Sequence, residues 1–129
     1  LMYYDARLSS GMNCIFEGQT CTTRKGYHAV KTWGEMALLG DECETVCDVP
    51  DIWSATAVGD GKSITMITYY SDDDNALPRE FTVEFDGKDE LRTIYLLDDE
   101  HDLVPVKTIA SESGRFTLTM NANTVVVIR

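Results

Sequence analysis

The stretch DIWSATAVGDGKSITMITYYSDDDNALPREFTVEF, residues 51–85, decides the fold, because it contains three strand-like runs separated by two turns. Across residues 62–70, Ile64, Met66 and Thr68 alternate with Thr65, Ile67 and Tyr69. Across 79–85, Phe81, Val83 and Phe85 share one face while Thr82 and Glu84 share the other. A period of two is the mark of a strand with distinct faces. Gly59-Asp60-Gly61 supplies a tight turn between the first two runs, and Ser71-Asp72-Asp73-Asp74-Asn75 before Pro78 supplies a longer one.

Working outward, the same grammar continues to the C-terminal side. Residues 91–97, 103–109, 115–120 and 124–128 read as further strands, divided by Asp98-Asp99-Glu100-His101-Asp102, Ser113-Gly114 and Asn121-Ala122-Asn123. Asp86-Gly87 closes the third run of the opening stretch. Val125-Val126-Val127-Ile128 is apolar without alternation, which predicts a central strand covered on both faces. On the N-terminal side the period changes. Tyr27, Val30, Trp33, Met36, Ala37, Leu38 and Leu39 recur at three- and four-residue spacing, predicting an amphipathic helix over 28–39 with Gly40 as its left-handed cap. The fold expected is mainly β: an antiparallel two-sheet β-sandwich of about seven to eight strands, preceded by one amphipathic α-helix. The change in grammar near Asp48-Val49-Pro50 divides the chain into residues 1–47 and 48–129.

Composition narrows the function classes. The 129 residues carry 22 acidic and 11 basic side chains, a formal charge of −11. Nucleic acid and anionic membrane surfaces are therefore not expected as partners. No apolar run approaches the ~20 residues of a membrane-spanning helix. Cys14, Cys21, Cys43 and Cys47 all precede the strand-rich region, so they do not read as a disulfide framework for it. Their Cys-x6-Cys and Cys-x3-Cys spacings lack the tight knuckles of a zinc site, and no metal or cofactor is expected. Cysteine usage of this kind points to the cytoplasm. The chain opens Leu1-Met2-Tyr3-Tyr4, and we expect it to be a piece of a longer polypeptide.

No nucleophile elbow, phosphate-binding loop, dinucleotide fingerprint or zinc-protease motif occurs. Asp72, Asp73 and Asp74 offer hard oxygen ligands, but without calcium-loop spacing they read as a solvated turn. His101 among carboxylates reads likewise as an exposed loop.

In LMYYDARLSSGMNCIF (1–16) and RKGYHAVKTWGEMALLG (24–40) the chain resembles the closing strand, loop and helix of a clan-A glycoside hydrolase barrel. ITYYSDDDNALPREFTVEF (67–85) and IYLLDDEHDLVPV (94–106) resemble the C-terminal β-sandwich of family 39 β-xylosidase-like enzymes. The resemblance implies that residues 1–47 are the end of a (β/α)8 barrel and residues 48–129 an accessory sandwich. It also implies that the two catalytic glutamates lie on earlier barrel strands, so that no catalytic residue is expected here. Tyr3, Tyr4, Asp5 and Arg7 would then stand at the rim of the active-site face and contact sugar in the intact enzyme. The implied partners are the catalytic barrel of the same polypeptide, a possible oligosaccharide, and a second copy wherever the helix is left uncovered. A rival reading is a carbohydrate-binding module with a platform built from Trp53, Tyr69, Tyr70 or Tyr95.

Overall fold

A computed structural model describes residues 15–86 and 89–129. One helix, α1 (Lys25–Leu39), is followed by eight strands: β1 (Asp41–Cys43), β2 (Ile52–Gly59), β3 (Lys62–Tyr69), β4 (Arg79–Glu84), β5 (Leu91–Leu97), β6 (Asp102–Ala110), β7 (Arg115–Met120) and β8 (Thr124–Ile128). The chain is mainly β, in two antiparallel sheets of very unequal size. Six strands form one sheet in the order β1-β2-β3-β8-β5-β6, and β4 and β7 form the other. The seven strands read from the sequence are all present. β1 was not anticipated, because Asp41-Glu42-Cys43 has no intrinsic strand preference and is drawn into extension by pairing with Val58, Ala57 and Thr56 of β2.

β8 lies at the centre, pairing β3 on one side and β5 on the other. Its residues divide between the two faces of the large sheet. Val126 and Ile128 join Ile52, Ile67, Tyr69 and Ile94 in the core that Val83, Phe116, Leu118 and Met120 of the small sheet complete. Val127 joins Ala57, Ile64 and Met66 beneath Met36 of α1. The molecule is thus three layers thick: helix, six-stranded sheet, two-stranded sheet.

α1 begins at Lys25, earlier than the apolar spacing suggested, since its first turn is polar and is held from outside. Lys25 Nζ reaches the Asp102 carboxylate at 2.7 Å and donates to the His101 carbonyl at 3.1 Å. At the other end the helix comes down on β2: a Cβ on Gly59 would lie 1.9 Å from the Leu39 carbonyl oxygen. Between these anchors Arg129, just past β8, pairs with Glu35 and lies over the Tyr95 ring. The helix therefore crosses the sheet diagonally, from the start of β6 to the end of β2.

At 3.6 residues per turn, Thr32, Met36 and Leu39 make the face turned to the sheet. Tyr27, Val30, Gly34, Ala37 and Leu38 make the opposite face, with Lys31 and Glu35 between. Gly34, Ala37 and Leu38 are exposed, and Leu38 keeps 88% of its surface in water. Both broad faces of this helix are apolar; among the described residues the second is covered only toward its start, where Phe16 packs on Tyr27, and is open at Gly34, Ala37 and Leu38.

Ile128→Ala should lower stability by about 3 kcal/mol, since the side chain is fully buried and shrinkage of the site is resisted by neighbours on both sides. Gly59→Ala should cost at least about 2 kcal/mol through overpacking against the helix terminus. Urea denaturation measures both; a loss below about 1 kcal/mol for either contradicts the packing described.

Candidate functional site

Stacking six strands against two leaves part of the large sheet uncovered on the sandwich side. There a cleft of about 660 Å³ opens, walled by β4 and the segment 43–49, with β2 and β3 as its floor. Ser54 and Thr56 of β2 and Ser63 and Thr65 of β3 supply the floor's hydroxyls. Thr56 and Thr65 satisfy each other, oxygen to oxygen at 2.8 Å. Phe81 and Val83 of β4 and Phe85 just past it form the apolar wall.

Arg92 closes one end of the cleft. It stands at an inward-facing position of β5, in step with Ile94, and is 7% exposed. One terminal nitrogen donates to the Ser63 hydroxyl at 3.2 Å and the other to the Glu90 carboxylate at 3.0 Å. Its guanidinium lies 3.8 Å from the centre of the Phe85 ring, within cation–π range. Its Nε is buried with no hydrogen-bond partner among the described residues. Glu44, Asp48, Glu84, Asp86 and Glu90 line the cleft against Lys62 and Arg92, so the cavity is acidic. Cys43 and Cys47, free thiols, stand on its outer wall. Such a surface can hold a ligand by shape, charge and backbone. Neither histidine is near it: His28 of α1 contacts Thr23 ahead of the helix, and His101 contacts Asp98 on the β5–β6 loop.

The residues singled out from the sequence fall in different places. Tyr3, Tyr4, Asp5, Arg7 and Cys14 lie outside the described residues. Tyr69 is 1% exposed, inside the sandwich core, with its hydroxyl donating to the Leu77 carbonyl at 3.0 Å. Tyr95 lies on the helix side, partly buried beneath Arg129. Trp53 and Tyr70 are 58% and 52% exposed, at the corner of the large sheet that the diagonal helix leaves open. The four rings do not share a surface. Arg92 and Glu90 were missed, although a charged residue in step with Ile94 and Leu96 was a visible signal.

The acidic runs are internally satisfied turns. Asp73 accepts from the Asn75 amide at 2.9 Å, and Asp72 accepts from the Tyr70 hydroxyl, whose pKa is raised by that carboxylate. Asp98 accepts from the amides of Glu100 and His101 and from the His101 ring at 2.8–2.9 Å. Burial pushes its pKa up, but these hydrogen bonds prevail and hold it below the ordinary aspartate value. Among the described residues no three His, Cys, Asp or Glu side chains converge as a metal site, and no helix is long and apolar enough to cross a membrane.

No family model and no curated protein matches the sequence. Solved structures do. A glycoside hydrolase family 30 subfamily 8 xylanase from Clostridium acetobutylicum superposes with a TM-score of 0.75 at 12% identity, over 94% of this chain and 31% of that one. A family 30 endoxylanase from Clostridium papyrosolvens C71 gives 0.69 at 15% identity, over 88% and 29%. A bifunctional glucanase-xylanase from a metagenome library gives 0.57 at 14%, over 67% and 17%. None of the three is described as a family 39 enzyme. The chain spans less than a third of the length of these structures, and at such identities the fold is what they share with it. That fold is one found within glycoside hydrolases of family 30 and related groups.

Arg92→Ala should cost about 2 kcal/mol in urea denaturation, through loss of the Phe85 stack and two hydrogen bonds to a buried guanidinium; an unchanged midpoint would show the cluster to be incidental. For Asp98 the folded-state pKa is depressed, so its contribution is present above the unfolded value, about 3.9, and is lost as pH falls through the folded one. Asp98→Asn should therefore narrow the drop in urea midpoint between pH 6 and pH 3. A drop as large as the parent's would place the acid sensitivity elsewhere.

Proposed function

We propose that this chain is the non-catalytic accessory β-sandwich of a glycoside hydrolase, packing against and stabilising a catalytic (β/α)8 barrel in the same polypeptide. Residues 1–47 are the end of that barrel and residues 48–129 the sandwich, with β1 of the first part added to the edge of the large sheet. The observation that carries the reading is the second apolar face of α1. A helix apolar on both broad faces belongs between two layers, and here the sheet supplies only one. Tyr27, Val30, Gly34, Ala37 and Leu38 are the surface a neighbouring barrel helix would cover, with Gly34 allowing close approach. The likeness to parts of glycoside hydrolases three times as long supports the same reading. The catalytic pair and the sugar specificity then reside in the barrel, as does any contact made by Tyr3, Tyr4, Asp5 and Arg7.

A carbohydrate-binding module is the second reading, favoured by the exposure of Trp53 and Tyr70. Two rings at one corner make a smaller platform than four.

The buttress reading expects the isolated chain to self-associate through α1, because an uncovered apolar stripe is a docking surface. Sedimentation should show dimer at high concentration, and Leu38→Lys should shift it to monomer with the fold intact by circular dichroism. A parent chain monomeric throughout removes the main support. Titration with xylohexaose, with hydrolysis followed in the same tube, should give neither binding nor turnover. Resonance shifts centred on Trp53 and Tyr70 would install the binding module instead.

A further inference from the structure

We propose that the cleft between the sheets is a strand slot, filled in the working protein by an extended segment of basic character that pairs with β4 and completes the small sheet. The inference rests on the reading just given, in which this chain works as part of a longer glycoside hydrolase, and it names where a second piece of that polypeptide engages.

The argument starts from the unequal sheets. Among the described residues β4 pairs only with β7, and Phe81 to Glu84 of β4, with Phe85 and Asp86 just after it, line the cleft in unbroken succession, whereas none of β7 does. A wall lined by consecutive residues, regardless of side-chain direction, is the edge of a strand and not its face. The hydrogen-bond alternation confirms which edge. Phe85 donates its amide to the Gly114 carbonyl at 2.9 Å, on the β7 side. In an antiparallel ladder odd and even residues point opposite ways, so the amides and carbonyls of Glu80, Thr82 and Glu84 are turned away from β7, and those of Thr82 and Glu84 lie at the cleft. Among the described residues no backbone hydrogen bond reaches them.

Next, the geometry fits a strand. One more strand beside β4, ~4.8 Å away and ~10 Å above the large sheet, lies over β2 and β3, where the cleft is. Three of the floor's four hydroxyls are already engaged, Thr56 with Thr65 and Ser63 with Arg92, so the floor does not call for a polar ligand and small apolar side chains suit it. Charge then selects the occupant: of the five carboxylates lining the cleft, Glu90 is paired with Arg92 and Glu84 with Arg115, and Glu44, Asp48 and Asp86 stand against Lys62 alone. Alternating small apolar and basic residues satisfy both demands, apolar toward the floor and cationic toward the acidic rim. Strand addition of this kind draws its affinity from main-chain hydrogen bonds.

The test is amide hydrogen exchange by NMR on the 129-residue chain. Two probes are compared, an acetylated and amidated hexapeptide of alternating valine and lysine, and its valine–glutamate counterpart. In the free chain the Thr82 and Glu84 amides should exchange at least ~100-fold faster than those of Val83 and Phe85. The lysine peptide should slow Thr82 and Glu84 by tenfold or more, less so in high salt, and the glutamate peptide should not. Thr82→Pro removes one donor from the free edge while sparing the ladder to β7, and should abolish the effect with the fold retained. The proposal is overturned if Thr82 and Glu84 are already slow in the dilute free chain, or if the lysine peptide leaves them fast. It is equally overturned if protection grows with chain concentration alone, which makes a second copy the occupant, or if xylohexaose protects them in place of peptide. Leu38→Lys reads the helix face independently, so failure of the buttress reading and failure of the strand slot give different results.

Discussion

Burial of one strand from both sides is the constraint on which everything else depends. Val127 and Ile128 have no exposed surface, and adjacent residues of a strand point to opposite faces, so each needs its own cover. The helix satisfies one and the small sheet the other. Remove either layer and β8 would present a row of valine and isoleucine to water, at about 25 cal/mol per Å² of apolar surface. The diagonal course of α1, the close approach at Gly59 and the Glu35–Arg129 pair are all consequences of holding a helix over that strand.

The order of elements was legible because each strand carries its own period. Residues 115–120 alternate cleanly and are buried at every second position, as a strand with one face inward must be. Ile64 and Met66 were assigned to one face and Ile67 and Tyr69 to the other, and they separate into the helix-side and sandwich-side cores accordingly. What could not be read was the distribution of strands between sheets. Which strand pairs with which is settled by contacts far apart in sequence, and β4 has the same local pattern whether it sits in a sheet of two or of four. The cleft follows from that distribution, so it was hidden too. Its Arg92 cluster draws on β5, β3 and the turn before β5, elements whose proximity no spacing rule announces. Tyr69 was ambiguous for a simpler reason: a tyrosine in a strand serves equally as a surface ring or as a core residue with one hydrogen bond, and only the Leu77 carbonyl decides.

Charge is distributed in keeping with this architecture. The excess of acidic residues collects in turns, where Asp73 and Asp98 accept backbone amides and so shape the loops they occupy. The few cations are used as fasteners between layers: Lys25 ties the helix to the β5–β6 loop, Arg129 ties it to the central strand, and Arg92 bridges the large sheet to Phe85 beyond β4. A surface this acidic leaves basic partners as the complementary ones, and the helix face, nearly uncharged, leaves apolar ones.

The position of β8 along the chain has a kinetic consequence. β2 and β3 form one hairpin and β5 and β6 another, and each can pair as soon as it is made. Neither hairpin bonds to the other; both wait for residues 124–128 to come between them. During synthesis the nascent polypeptide therefore carries two unjoined ribbons with apolar faces until residues 124–128 leave the ribosome. A chain broken just upstream of Thr124 would keep both ribbons whole, yet it would leave the two halves of the sheet without a common neighbour.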